Sequence, residues 1–234
     1  AQYPRVNIYP FDTKYRLMAS SNMIKEDHKI FVKGALESLK KFALNTKDLD
    51  TLQKEHDKMA SEGLRVIALG TGKYNSDDID TWEIEIVGLV GFIDPPKKEV
   101  LKAVQTAQKA GVKVMMITGD DPITAKAVAM MVGIYKDGDL VVSGRDLDEM
   151  DDEKLEALLP RVTVWARVLP EHKYRIVKSL QKLGEIVAVT GDGVNDVPAL
   201  KIADLGISMG SGSEAAKSTA KMVLADNNLS VIVD

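Results

Sequence analysis

Thr190-Gly191-Asp192-Gly193-Val194-Asn195-Asp196-Val197-Pro198-Ala199-Leu200 holds the densest collection of chemistry-bearing residues in this chain, and it follows directly on an apolar run. A carboxylate at the C-terminal end of a parallel strand faces the crevice where open sheets bind ligands, and glycines beside it let backbone approach a charged group. Asp192 and Asp196 suit a shared hard cation such as Mg²⁺, with Asn195 as a neutral oxygen donor or an orienting hydrogen bond. An ordinary Asp-Gly turn with Asp196 capping a helix is the plainer reading of the same letters. The crowding of two carboxylates, an amide and two glycines favours a site.

Thr118-Gly119-Asp120 repeats the device after another apolar run, with Pro122 and a helical pattern following from Thr124. A hydroxyl and backbone amides at a strand-to-helix junction suit a phosphoryl oxygen, because the helix N-terminus adds partial positive charge. Arg167-Val168-Leu169-Pro170-Glu171-His172-Lys173 puts a lysine at the start of a helix between two strands. Its ammonium, on a flexible stem, can balance charge on a transferring phosphoryl group. His172 reads as structural.

The elements that must carry these residues follow from periodicity. Beyond Asp94 short apolar strands alternate with helical stripes, the pattern of a doubly wound α/β sheet. Lys97 to Ala110 carries Val100, Leu101, Val104 and Ala107 on one helical face, and Gly111 stops it before a strand over Val112 to Ile117. Val162 to Ala166 is a further strand, His172 to Leu183 a helix ended by Gly184, and Glu185 to Thr190 a buried strand. Asp196 to Lys201 opens a helix, and Gly206 to Met209 is one more strand. The first half alternates apolar residues in Leu17 to Ile24 and Ile30 to Lys33, has a polar helix over Leu49 to Ser61, and strands over Arg65 to Leu69 and Trp82 to Gly91. That predicts an antiparallel sheet with packed helices, an α+β unit. Pro95-Pro96 stiffens the seam. The acidic stretch Asp148 to Glu156 reads as a solvated helix face.

Composition narrows the classes of function. The 234 residues are 45% hydrophobic, enough for real cores, and the net charge of −4 arises from 31 basic and 35 acidic residues mixed along the chain. No basic field exists to hold a nucleic acid. Cysteine is absent, which removes disulfides and thiolate metal sites. The apolar runs fall far short of the roughly 20 residues that span a bilayer.

Asp94-Pro95-Pro96, Thr118-Gly119-Asp120, Arg167 to Lys173 and Thr190 to Leu200 occur in the order found in the P-type cation-transporting ATPases, whose phosphorylation domain is haloacid-dehalogenase-like. Phe11-Asp12-Thr13 with Arg16, Lys33-Gly34-Ala35 and Leu64-Arg65 resemble that family's nucleotide-binding domain, and Met209-Gly210-Ser211-Gly212 with Asp226-Asn227 resembles its calcium-pump branch. The resemblance implies residues 1–93 as a partial nucleotide-binding domain and 94–234 as the phosphorylation domain, with ATP and Mg²⁺ as cofactors. It implies that Phe11 stacks on adenine, that Lys33 and Gly34 line its pocket, and that Arg16, standing where the family has lysine, and Arg65 meet the phosphates. Thr118, Gly119, Asp120, Arg167, Lys173 and Asn195 would contact the nucleotide or its phosphoryl group, Asp192 and Asp196 the metal, and Asp94 would lie at the hinge.

The same resemblance marks something missing. The family's Asp-Lys-Thr-Gly-Thr string, whose aspartate takes the γ-phosphoryl group, does not occur here. The expectation is that another segment, or the remainder of a larger pump with its actuator domain and membrane helices, supplies that aspartate and the strand that carries it. On this reading the chain sits at the cytoplasmic side of a membrane and is inactive alone. A nucleotide-binding module without catalysis, or a soluble phosphatase of the dehalogenase superfamily, are the competing expectations.

Overall fold

Alternation in the first half and βα repetition in the second produce two units, Ala1–Asp94 and Pro95–Asp234, in the computed structural model of the chain. It describes residues 3–92 and 95–232; Asp94, expected at a hinge, lies outside the described residues.

In the first unit β1 (Arg5–Asp12), β2 (Leu17–Ile24), β3 (Asp27–Gly34), β4 (Arg65–Lys73) and β5 (Glu85–Phe92) form a five-stranded antiparallel sheet in sequential order. The helices α1 (Leu36–Leu39) and α2 (Leu49–Ser61) fall between β3 and β4. Period-two patterning decides which face they cover. Leu17 and Ala19 of β2, Ile30 and Val32 of β3 and Ala68 of β4 bury themselves with Leu36 and Leu39 of α1 and with Ile84 and Ile86. Trp82, expected to open the last strand, precedes it as the residue that ends a short 3-10 turn over Ile79–Thr81, and its indole donates to the carbonyl of Ser76 at 2.9 Å. β1 is an edge strand with one neighbour and mostly exposed residues.

The second unit runs α3 (Lys98–Lys109), β6 (Met116–Ile117), α4 (Pro122–Met131), β7 (Leu140–Ser143), α5 (Gly144–Asp148), α6 (Asp152–Leu158), β8 (Val162–Ala166), α7 (Pro170–Lys182), β9 (Ala188–Gly191), α8 (Val197–Ile202), β10 (Leu205–Met209), α9 (Glu214–Thr219) and β11 (Met222–Leu224). All its strand pairs are parallel, but they fall into two three-stranded sheets, β6-β8-β7 and β11-β10-β9, rather than one. β8 lies between two neighbours and is buried throughout. The helix α7 belongs to both halves: Ile176 packs with Leu147, Leu155, Val162 and Trp165, while Val177 packs with Ala199 and Ala203.

Two expectations about strands are corrected. The strand foreseen over Val112 to Ile117 shrinks to Met116 and Ile117, and the one foreseen as buried over Glu185 to Thr190 is an exposed edge, with Ile186 89% accessible. The reason is pairing: β6 bonds only to β8 and β9 only to β10, so each has one side without a neighbour among the described residues. The acidic stretch is largely exposed, as expected, and runs from the last residue of α5 into α6; in addition Asp148, Asp152 and Glu156 pair with His172, Arg175 and Lys182, all on α7.

Candidate active site

Each loop of interest follows a parallel strand at its C-terminal end, and hydrogen bonds join them into one cluster. After β6 the Thr118 hydroxyl donates to Asp120 Oδ2 at 3.0 Å and accepts the Asp120 N–H at 3.1 Å. Asp121 then caps α4, accepting the N–H groups of Ile123 and Thr124 at 3.0 and 3.1 Å, with Pro122 in the first turn where its missing N–H costs nothing. The loop after β8 locks onto this one: Arg167 N–H donates to the Asp120 carbonyl at 2.9 Å and Val168 N–H to the Thr118 carbonyl at 3.2 Å. Arg167 holds φ of 53°, a left-handed conformation that a non-glycine residue rarely adopts.

From that loop α7 begins, and in its first turn Lys173 Nζ meets Asp196 Oδ1 at 2.5 Å. Asp196 sits in the short 3-10 turn after β9, and its other oxygen accepts the N–H groups of Asp192 at 3.1 Å and Gly193 at 3.0 Å. Burial alone would push the Asp196 carboxyl up; the Lys173 ammonium and the amides of Gly193 and Asp192 outweigh it and hold its pKa below the ordinary 3.8. Gly191 is demanded by this geometry, since a Cβ there would stand 2.5 Å from the Asp196 Cβ. The Asp192 carbonyl in turn accepts Ser213 N–H at 2.7 Å, and Ser211 N–H donates to Asn227 Oδ1 at 3.1 Å. The loops of residues 118–120, 167–173 and 192–196 therefore lie at one end of the unit.

The arrangement separates the two aspartates in role. Asp196, expected as a metal ligand, has both oxygens committed to Lys173 and to backbone amides, so the geometry makes it the hub that fixes the loop. Asp192 is exposed, and among the described residues no hydrogen bond or ion pair is found at its carboxylate, which leaves it able to bind a cation. Among the described residues no group of three or more His, Asp or Glu side chains converges on a point. Asp192 thus fits Mg²⁺ as one oxygen donor of a shell completed by other oxygens, as that ion commonly is. Asn195 is exposed in the same turn.

In the first unit, Lys33 lies on the sheet face turned away from the core, opposite Met18 on one side and Leu69 on the other. Arg65 and Ile67 share that face by parity along β4, Arg65 about 13 Å from Leu69 at the usual rise per strand residue. Phe11, 61% exposed, falls in the bulge of β1 where Tyr9 pairs with Ala19 and Asp12 with Leu17, so Pro10 and Phe11 stand across from Met18. Met18, Ile67 and Leu69 were not singled out from the sequence, although the parity of Lys33 identifies them. Gly34 differs from its expected role. It shares the parity of Ile30 and Val32, and a Cβ there would meet the Arg16 carbonyl at 2.6 Å, so it permits close approach of β2 and β3. Arg16 is paired with Glu37 at 3.3 Å.

Parallel strands alternating with helices, with Thr118, Lys173 and two aspartates in or just beyond the loops after their C-terminal ends, define an α/β domain of the hydrolase class. Residues 16–204 match the haloacid dehalogenase-like hydrolases, and the chain belongs to that family. Within it, the chain is related along nearly its whole length to calcium-transporting P-type ATPases. It is 37% identical to a calcium-transporting ATPase of Listeria monocytogenes over 96% of this chain and 27% of that protein. It is 39% identical to calcium-transporting ATPase type 2C member 1 of Homo sapiens over 99% of this chain and 26% of that protein. Calcium-transporting ATPase 1 of Saccharomyces cerevisiae is 39% identical over 98% of this chain and 26% of its own length. The chain therefore spans about a quarter of the length of these curated relatives. Among the described residues no helix is long and apolar enough to cross a membrane.

Proposed function

We propose that the chain is the ATP-binding and phosphoryl-transfer portion of a P-type ATPase that couples an aspartyl-phosphate intermediate to cation transport, calcium being the ion its relatives' names point to. One observation supports the reading: backbone bonds tie the Thr118 loop to the loop after β8, and the Lys173–Asp196 pair ties the start of α7 to the Asp192 loop, so the segments bearing these residues are linked in series at strand ends. In this role the Thr118 hydroxyl, exchanging its bond to Asp120, and the Gly119 amide hold phosphoryl oxygens, Lys173 balances their charge, and Asp196 keeps Lys173 and the Asp192 loop in register. Mg²⁺, held in part by Asp192, would supply Lewis-acid neutralisation of the phosphates. The face of the first unit that bears Phe11, Met18, Lys33, Arg65 and Leu69 offers what a nucleotide needs, an apolar bed for the base and cations for the phosphates. Asp120, Arg167 and Asn195 contact the nucleotide or its phosphoryl group from their loops.

The nucleophile would come from a further segment of the pump carrying Asp-Lys-Thr-Gly-Thr. The sides of β6 and β9 that lack a neighbour among the described residues, with the exposed apolar Ile186 just before β9, support a strand added beside them. The remainder of the pump, its actuator domain and membrane helices included, is the implied partner, which places this chain on the cytoplasmic side. The test is transfer from γ-labelled ATP. The chain alone should take up no label, the parent polypeptide containing that segment should take it up on the aspartate, and Asp192→Ala should abolish Mg²⁺-dependent uptake. Full uptake by the Asp192→Ala parent would overturn the metal role, and labelling of the isolated chain would overturn the assignment of the nucleophile.

A further inference from the structure

Lys173 is one residue past His172, and His172 is gripped by partners of its own. His172 is 5% exposed in the first turn of α7. Its Nδ1 accepts the backbone N–H of Leu169 at 3.1 Å, which places the ring proton on Nε2, and Nε2 donates to Asp148 Oδ1 at 2.8 Å. One turn later Arg175 reaches the same corner. Its guanidinium donates to the carbonyls of Leu147 at 2.8 Å and Met150 at 2.7 Å and to Asp152 Oδ1 at 2.8 Å. Gly144, which opens α5, makes room for the ring: a Cβ there would stand 2.9 Å from His172 Nδ1.

Successive residues on a helix point about 100° apart, so a His172 ring pinned toward α5 fixes the direction in which Lys173 leaves the helix. The first turn of a helix is also where backbone N–H groups lack partners and fraying begins, and the imidazole satisfies one of them. A lysine stem is flexible and holds a 2.5 Å contact only if its Cα is held. We propose that His172 is a positioning residue: anchored by Asp148 at the end of α5, it sets the first turn of α7 so that the Lys173 ammonium stays on Asp196. The inference rests on the role proposed above for Lys173 only for its functional meaning; the contact it concerns can be observed without nucleotide.

The test uses the full chain labelled with ¹⁵N-lysine and follows the Lys173 ammonium, which a tight ion pair protects from rapid exchange with water. Asp148 is 67% exposed at its side chain, so its replacement leaves the core intact. Asp148→Ala is expected to lose the Lys173 signal, as Asp196→Asn does, whereas Asp148→Asn, which still offers an oxygen to Nε2–H, is expected to keep it. His172→Ala should lose it too. An unchanged signal in Asp148→Ala, whatever happens to Tm, would show a purely structural histidine and overturn the proposal. Loss of the signal in Asp148→Asn would overturn it as well, because charge rather than position would then be responsible. If Lys173 proves irrelevant to phosphoryl transfer while the Asp148 series behaves as expected, only the functional reading fails.

Discussion

Asp196 shows how far a single side chain can carry a site. It is 9% exposed, yet it is satisfied on both oxygens, by an ammonium and by two backbone amides. Asp196→Asn leaves Lys173 partly buried without its counter-charge, and chemical denaturation at pH 7 is expected to show a loss of about 3 kcal/mol. Because its folded pKa lies below 3.8, the carboxylate contributes stability that is fully present above that value and lost as pH falls through the folded value. The stability gap between wild type and Asp196→Asn should therefore close in acid below pH 3.8; a gap that persisted there would mean that the carboxylate acts by packing alone. Phe11 makes the opposite case. At 61% exposure it contributes little to the fold, so Phe11→Ala should leave Tm nearly unchanged while weakening ATP binding by about 1–3 kcal/mol if a base stacks on the ring. Isothermal titration decides this, and unchanged affinity would remove Phe11 from the site. The sequence alone identified both residues, one by its spacing from Asp192 and one by resemblance, but it could not tell that Asp196 is consumed by Lys173. That fact depends on a contact across 23 residues, and local spacing carries no trace of it.

Among the elements, α2 over Leu49–Ser61, β2 over Leu17–Ile24 and β8 over Val162–Ala166 stand where the sequence puts them: β2 buries alternate residues, α2 buries His56 and Ala60, and the apolar β8 is buried throughout. β1, β7, β11 and α9 were not foreseen. β1 is an exposed edge, and the others are too short, at three to six residues, for a periodic signal to accumulate. The error at Glu185 to Thr190 is more informative: the run is apolar as a central parallel strand should be, yet among the described residues β9 has a neighbour on one side only. Its composition fits burial on both sides, and its structure provides one. Hydrogen exchange should expose the mismatch. Amides of β8 are expected to be strongly protected, whereas alternate amides of β9, those pointing away from β10, should exchange quickly and slow down when the Asp-Lys-Thr-Gly-Thr segment is present in the parent polypeptide. Uniform protection along β9 in the chain alone would contradict the idea that its free side awaits a strand.

On the proposed function, the two units divide the chemistry of the whole molecule. The antiparallel unit presents apolar residues and cations on one sheet face, and the parallel unit presents a hydroxyl, an ammonium and a carboxylate at its strand ends. Each set is coherent by itself, so the two responses should be separable in the intact chain. ATP without divalent metal is expected to shift backbone resonances around Phe11, Met18, Lys33 and Leu69. Mn²⁺ without nucleotide, standing in for Mg²⁺ as a hard oxygen-seeking ion, should broaden signals centred on Asp192 and Gly193. Because a single exposed carboxylate is a weak ligand, that broadening needs roughly millimolar metal, and Asp192→Ala should erase it while leaving the ATP shifts intact. Asp196→Ala should disturb the same loop through its amides, but without removing the metal donor, so broadening should move or spread rather than vanish. Mn²⁺ effects that survive Asp192→Ala, or that centre on the first unit, would refute this division of labour. ATP shifts confined to the second unit would refute the nucleotide face.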